Sequence, residues 1–323
     1  MRRALFLATS HDCAANLAGE AYLLTRNELS PILYLWENDP CVVIGRFQNP
    51  FQECDLDAMA SDHVRLVRRQ SGGGAVYQDR GNLCFTIIGD KTQITKERNF
   101  AMLLSALKTL GVDAQCSGRN DILIDGRKIS GNAFQYTTDR FSHHGTMLVS
   151  TDVSVMSRYL HPSKAKLAGN AVQSVRSRVA NLRDYLPTVT NEMVFDAFIK
   201  AFTDMYGPVQ ATNIDWQQEE HAKATYALFG DRASILSRTP PFGDHLSHRF
   251  PWGEVELEIG VTNGVITETA IHTDALDTSL VPLWQTLLSG VGYTKEALSE
   301  VCRGQMSQET QELLAFLISE TPA

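Results

Sequence analysis

The sequence predicts an α+β protein, with a large mixed-sheet domain over residues 1–245 and a small α+β domain over residues 246–323. Three observations lead there. Short apolar runs of strand length are interspersed with helical patterns through the first two hundred residues, and several are joined by short turns, which argues against a regular βαβ array. A polar stretch of poor periodicity then runs from about Gln217 to Phe250. Beyond it, one clean alternation, an Asn-Gly turn and three helical patterns form a second group.

Taken in order, Ala4 to Ala8 reads as a first strand leading into a helix near Ala14 to Leu24. That opening apolar run is too short for a signal-peptide core, and no stretch approaches the roughly eighteen apolar residues of a membrane span, so a soluble cytoplasmic protein is expected. Ile32 to Trp36 and Cys41 to Ile44 are strand-like, with Asn38-Asp39-Pro40 as the turn between them. Glu53 to Ala60 has the length of a short helix, and Val64 to Val67 that of a strand. Ala75 to Tyr77 and Leu83 to Ile88 are strands separated by Asp79-Arg80-Gly81-Asn82. Lys96 to Leu110 places Phe100, Leu103, Leu104 and Leu107 on one helical face. Val112 to Cys116 is a strand, and Asp121 to Gly131 a hairpin turning on Asp125-Gly126. His144 to Ser150 is a strand, and Asn191 to Tyr206 a helix. In the second group Glu254 to Ile259 and Val265 to Ile271 flank Asn263-Gly264, and helices follow near Ser279 to Leu288, Thr294 to Cys302 and Gln308 to Leu317.

Composition narrows the function. With 323 residues, 43% of them hydrophobic, the chain can bury at least one full core. Its net charge of -8, from 29 basic and 37 acidic residues, argues against general binding to nucleic acid or anionic membrane. The six cysteines (Cys13, Cys41, Cys54, Cys84, Cys116 and Cys302) form no CxxC pair, so neither a disulfide framework nor a structural zinc site is expected. His143-His144 has no partner at metal-ligand spacing.

Two segments carry the chemistry. In the first, Arg68 to Asn82, three consecutive glycines, Gly72, Gly73 and Gly74, allow close backbone approach to a ligand, and their N–H groups can form an anion nest. Arg69 beside them can add contacts to phosphate or carboxylate. A flexible surface loop is the competing reading. No Walker loop, GxGxxG fingerprint or GxSxG elbow is present, which disfavours Walker-type phosphoryl transfer and α/β-hydrolase chemistry. In the second segment, Gly118 to Gly131, Lys128 on the returning hairpin strand is a positioned charge suited to a carboxylate and an α-phosphate, and Asp121 can offer oxygen to Mg²⁺. A solvated hairpin lysine is the alternative. Gly145 and Thr146 open a strand where hydroxyl and backbone could meet a ligand, and Arg176 and Arg178 alternate with valines in Ser174 to Leu182.

The segments VVIGRFQNP, RRQSGGGAVYQDRGN, GRNDILIDGRKISGNAF, HHGTMLVSTD and SVRSRVANL stand in the order seen in lipoate–protein ligase A. The sequence resembles that family well over roughly residues 1–206, ANLAGEAYLL included, and more weakly through FPWGEVELEIGVTNGVI. The resemblance implies a biotin/lipoate ligase fold that activates lipoic acid, or octanoic acid, with ATP and Mg²⁺ and needs no covalent prosthetic group. It implies transfer of the acyl group to a lysine on apo lipoyl domains of 2-oxoacid dehydrogenase complexes or on the glycine-cleavage H protein, by a monomeric enzyme. It further implies that Arg69, Ser71 and Gly72 to Gly74 line the adenylate pocket with Gln78 and Asn82, and that Lys128 contacts carboxyl and phosphate oxygens. Asn120 and Asp121 fall on the nucleotide and metal side, Gly131, Ala133, His144, Gly145 and Thr146 near the adenylate, and Arg46 with Asn49 near the acyl pocket. Gln78 stands where the family commonly has His, and Asn170-Ala171 where it has Lys-Gly. A transferase using a preformed acyl donor, or a non-catalytic lipoyl-domain-binding protein, are the alternatives.

Overall fold

The apolar runs become strands: β1 (Arg2–Ala8), β2 (Leu29–Glu37), β3 (Cys41–Ile44), β4 (Arg65–Arg68), β5 (Val76–Gln78), β6 (Asn82–Asp90), β7 (Gln115–Ser117), β8 (Asp121–Ile124), β9 (Arg127–Tyr136), β10 (Arg140–Leu148), β11 (Ala211–Ile214), β12 (Asp244–Phe250), β13 (Gly253–Thr262) and β14 (Val265–Thr273). The computed structural model describes residues 1–117, 120–160, 179–231, 235, 244–262, 264–301, 304 and 306–321. The main sheet has eight strands in the order β11-β1-β2-β6-β10-β9-β8-β7. β1 runs parallel to β2 and β11, and the remaining pairs are antiparallel.

The central strands β2 and β6 are buried nearly end to end. Side chains alternate across a strand, so Ile32, Tyr34 and Trp36 enter one apolar layer while Leu33 and Leu35 enter the other. The first layer is closed by helix Cys13–Leu24 and by Trp216, Ala222 and Phe229. The second is closed by helices Lys96–Thr109 and Asn191–Tyr206. Cover on both faces selects continuous apolar runs over alternating ones, which is how these strands read.

Helix starts follow local chemistry. Asp12 caps the first helix by accepting from the Ala14 and Ala15 amides at 2.9 and 3.2 Å. Thr95 and Thr190 cap the two long helices on the opposite face in the same way. The hairpin between β8 and β9 turns on Asp125 and Gly126, with φ of 50° and 77°, which matches the right-handed strand twist. A separate three-stranded sheet, β4-β3-β5, suspends residues 69–75 between its outer strands. The last part of the chain folds as an antiparallel sheet, β12-β13-β14, against helices Leu280–Leu288 and Gln308–Glu320. Among the described residues, no helix is long and apolar enough to cross a membrane.

Three local expectations change. Helix Glu220–Gly230 lies in the stretch read as aperiodic. It buries only Ala222 and Phe229 fully, so its apolar stripe is too thin to show in sequence. The strand expected at Val112 to Cys116 begins only at Gln115, because Val112 belongs to the core beside the preceding helix. β10 starts at Arg140, four residues early, because buried Arg140, Ser142 and His143 mask its apolar pattern. The Asn263-Gly264 turn is described only from Gly264, at φ 76°.

Gly19 is required by packing. A Cβ there would fall inside the Trp216 indole, which is itself boxed by Phe6, Tyr22 and Tyr34. Gly19→Ala is expected to lower the unfolding free energy by about 1–3 kcal/mol through overpacking. A urea midpoint equal to wild type would contradict that packing.

Candidate active site

The glycine loop is built around a buried cation. β4 delivers Arg69 into the space under the loop, where only 6% of its surface stays exposed. Its Nη2 donates to the Gly72 and Gly74 carbonyls at 2.8 and 2.9 Å, its Nε to the Gly72 carbonyl at 3.2 Å and to Ser71 Oγ at 3.1 Å, and its Nη1 to the Val43 carbonyl at 3.1 Å. A planar guanidinium can serve several carbonyls at once; an ammonium cannot. Burial pushes the Arg69 guanidinium down to about 10, still charged at neutral pH. Sequence reasoning aimed Arg69 at a ligand; the structure commits its Nε and Nη2 to the loop and its Nη1 to β3. Gly73, at φ +94°, holds a conformation that side chains resist. The segment after β14 covers this loop: Gly73 N donates to the Ala275 carbonyl at 3.2 Å, and a Cβ on Gly72 would collide with that carbonyl.

The floor facing the loop is one side of the β9–β10 pair. Gly131, Ala133, His144 and Thr146 share it, with His144 directly opposite Ala133. A Cβ on Gly73 would lie 3.8 Å from the Ala133 Cβ, and one on Gly131 would lie 3.0 Å from Lys128 Nζ. Gly131 is therefore small so that the lysine can lie over the strand. Thr146 Oγ1 accepts from Gly131 N at 3.4 Å. Gly131 and Ala133 are two residues apart, about 7 Å along the strand, so the loop and the Lys128 amine stand over neighbouring positions of one sheet face. Lys128 Nζ pairs with Asp121 Oδ1 at 2.7 Å, and both side chains are about one-third exposed, at 36% and 34%. Ala180 N donates to the Lys128 carbonyl at 2.9 Å and fixes the strand beneath the lysine.

The opposite wall is wired through His144. Its Nε2 lies 2.8 Å from Ser71 Oγ, and its Nδ1 lies 2.8 and 2.9 Å from the two Glu20 oxygens. Thr86 Oγ1 donates to Glu20 Oε2 at 2.5 Å. Burial opposes charge on Glu20, but His144, Thr86 and Arg69 together hold its carboxyl below the usual carboxylate range. Sequence reasoning missed Glu20 as a site residue. The signal was present: it is the sole charged residue of the helix CAANLAGEAYLL, one turn after Asn16, which is also buried.

Other expected residues sit elsewhere. Gln78 is buried, and its Oε1 accepts from Asn38 Nδ2 at 2.7 Å within a polar chain through Asn16 to Tyr34. The Asn120 side chain donates to the Asn132 carbonyl, and its own carbonyl accepts from Asn132 N and Nδ2 at 3.1 and 2.9 Å, so it pins the turn to β9. At Gly145 a Cβ would strike Asn132 Oδ1 and the Phe85 ring; that glycine serves the core, on the face away from Lys128. Arg46 lies over the Phe47 ring at 5.2 Å and lines a cavity of about 250 Å³ with Gln48, His272 and Gln285, apart from Lys128. Asn49 is buried just ahead of the short helix Pro50–Glu53. Asn82 is buried with neither amide atom partnered among the described residues, which suits a ligand contact. Gly118, Asn170-Ala171, Arg176 and Arg178 lie outside the described residues.

Arg69→Lys removes the fork that holds the loop carbonyls. It is expected to lower the unfolding free energy by about 1–3 kcal/mol, read from urea denaturation; an unchanged midpoint would show that the loop holds its own shape.

A mixed sheet carrying a glycine loop opposite a lysine–aspartate pair suits adenylate-forming chemistry, and the relatives place the chain in that class of ligases. Residues 12–203 match the family model described as lipoyl protein ligase A/B catalytic domain, and residues 239–316 match bacterial lipoate protein ligase C-terminus. The chain is 40% identical over 290 residues to lipoate-protein ligase A of Psychrobacter cryohalolentis, covering 87% of this chain and 86% of that protein. Among solved structures, LipL1 of P. falciparum in complex with lipoate superposes with a TM-score of 0.87 at 30% identity, over 98% of this chain and 100% of that one. A lipoate-protein ligase A bound with ATP gives a TM-score of 0.60 at 28% identity, over 70% and 93%. The chain belongs to the lipoate–protein ligase A family.

Proposed function

We propose that this chain activates lipoic acid with ATP to lipoyl-adenylate and pyrophosphate, then passes the lipoyl group to a lysine of an apo lipoyl domain in the cytoplasm. The lipoyl domains of 2-oxoacid dehydrogenase complexes and the glycine-cleavage H protein are the acceptors we favour. The observation that carries this reading is Lys128: a strand lysine lying over Gly131, paired with Asp121 and on the sheet face that the glycine loop covers at Ala133.

The chemistry asks for charge neutralisation and alignment. A lipoate carboxylate attacking the α-phosphorus brings two anions together, and a fixed ammonium lowers that barrier without forming a covalent bond. Lys128 is given to the carboxylate and α-phosphate oxygens, and the N–H of Gly74, the exposed residue of the loop, to the same anion. Asn82, with its buried amide unpartnered, is given to the nucleotide. Thr146 and Ala133 form the floor on which the acyl-phosphate lies. In the second step Lys128 steadies the acyl carbonyl while AMP departs.

Magnesium fits only in part as a protein ligand. Among the described residues no group of three His, Cys, Asp or Glu could hold a metal. One carboxylate plus nucleotide phosphates is nonetheless a usual arrangement for this ion, and Asp121 is the carboxylate we assign. When bound, the ion would neutralise phosphate charge. Asp121 also keeps the Lys128 amine over Gly131. The match of residues 239–316 to the ligase C-terminal model favours the complete ligase over a transferase fed with preformed adenylate.

ATP–pyrophosphate exchange stimulated by lipoic acid tests the activation step, with octanoic acid as the comparison acyl chain. Exchange is expected with lipoic acid; its absence, alongside transfer from supplied lipoyl-adenylate, would overturn activation. Lys128→Ala is expected to lower lipoylation of an apo lipoyl domain by about 10²–10³-fold, followed by mass spectrometry of the acceptor. Near-normal modification would remove Lys128 from its role.

A further inference from the structure

Ser71, His144 and Glu20 lie in line, and none of them is needed for the charge neutralisation assigned to Lys128. Ser71 Oγ, His144 Nε2, His144 Nδ1 and Glu20 Oε1 are linked by two contacts of 2.8 Å each. All three residues come from different parts of the chain: the glycine loop, β10 and the first helix. Ser71 and Glu20 are buried, at 1% and 6% exposure, and the His144 side chain is 12% exposed. A buried polar line of this kind must be fully paired to be tolerated, and here it is.

The pairing fixes where the hydrogens are. Nδ1 faces a carboxylate, so it carries the ring hydrogen. In the neutral ring Nε2 is then an acceptor and takes the Ser71 hydroxyl hydrogen. Arg69 Nε already donates to the same Oγ at 3.1 Å. Ser71 therefore offers an approaching ligand a lone pair and no hydrogen. It is built to receive a proton, with an oriented imidazole behind it and a carboxylate behind that, the arrangement by which a base is held and its cation stabilised.

Resting on the ligase reading above, we propose that Ser71 and His144, oriented by Glu20, accept the proton released when the acceptor lysine attacks lipoyl-adenylate. The lysine nitrogen bonds to the acyl carbon, and the bond from that carbon to the AMP phosphate oxygen breaks with its electron pair leaving on AMP. The amine proton passes to Ser71 Oγ as the serine's own proton passes to His144 Nε2, and His144 later returns it to water. Glu20 stays ionised and balances the imidazolium. Ala275 and Leu276 lie against this loop, so the lysine arrives only when that segment gives way. Glu20 is the carboxylate that faces His144, and Arg69 lies close enough to act on Glu20; His143, on the other side of the strand, is held neutral by burial.

The test uses the full-length enzyme, preformed lipoyl-adenylate and an apo lipoyl domain under single-turnover conditions. Wild type is measured first, because failure to transfer would overturn the ligase reading itself. Given wild-type transfer, His144→Ala is expected to lose about 10²-fold in the transfer rate constant, with the acceptor concentration for half-maximal rate within about twofold. Added imidazole is expected to restore rate to His144→Ala, and not to Ser71→Ala, which lacks the intermediate oxygen. Glu20→Gln is expected to lower the rate, with Glu20→Gln/His144→Ala no slower than His144→Ala alone, since the pair acts as a unit. Wild-type transfer by His144→Ala, or a slow, folded His144→Ala that imidazole does not accelerate, would overturn the proposal. Should His144→Ala fail to fold, His144→Gln decides by the same single-turnover rate: a loss of about 10²-fold supports the relay, and wild-type transfer overturns it.

Discussion

One buried guanidinium sets the geometry on which the site depends. Three consecutive glycines have no preferred shape, and a loop so composed would sample many conformations at an entropic cost on binding. Arg69 removes that freedom by drawing the Gly72 and Gly74 carbonyls and the Ser71 hydroxyl toward one cation. The charge is tolerated because all its nitrogens are bonded and Glu20 lies close enough to be felt. The small β4-β3-β5 sheet exists, in functional terms, to present this arginine and its loop to the main sheet.

The second constraint is smallness. Across from the loop, β9 offers Gly131 and Ala133, and the absence of a side chain at Gly131 lets Lys128 lie over the strand. The two sides then divide the work. Lys128 with Asp121 forms a charge pair about one-third exposed, whereas the Glu20–His144–Ser71 line is largely buried. The paired histidines take different roles through strand alternation: His144 faces the loop, and His143 is packed among Phe85, Phe100 and Phe134 with Nε2 bonded to Asn132 Oδ1 at 2.9 Å.

Much of this was legible in the residues. Element order followed from apolar runs and turns, because burial on both faces of β2 and β6 leaves unmistakable sequences, and the Asp125-Gly126 hairpin placed Lys128 next to Gly131 before any coordinates. Helix Glu220–Gly230 was not legible, since it buries only Ala222 and Phe229 and so shows too thin an apolar stripe. The segments that the fold brings together around Lys128 and the glycine loop were legible, and the direction of each side chain was not. Motif order brought in Gln78, Asn120 and Gly145 with their neighbours, but a motif does not say which way a side chain points; these three are used for polar or core packing. Arg69 was recognised as important for a reason the fold revises, from ligand contact to loop support. Glu20 lies far from the glycine loop in sequence, and only the sheet brings the two together.

The central claim is that the loop organised by Arg69 and the Lys128–Asp121 pair form two walls of one acyl-adenylate site over the Gly131–Ala133 floor. A crystal structure with a non-hydrolysable lipoyl-sulfamoyl adenosine tests it most directly. The sulfamoyl group is expected between Lys128 Nζ and the Gly74 N–H, with the Arg69 guanidinium still bonded to the Gly72 and Gly74 carbonyls. A ligand seated instead in the cavity beside Arg46 and His272, with Lys128 untouched, would contradict it.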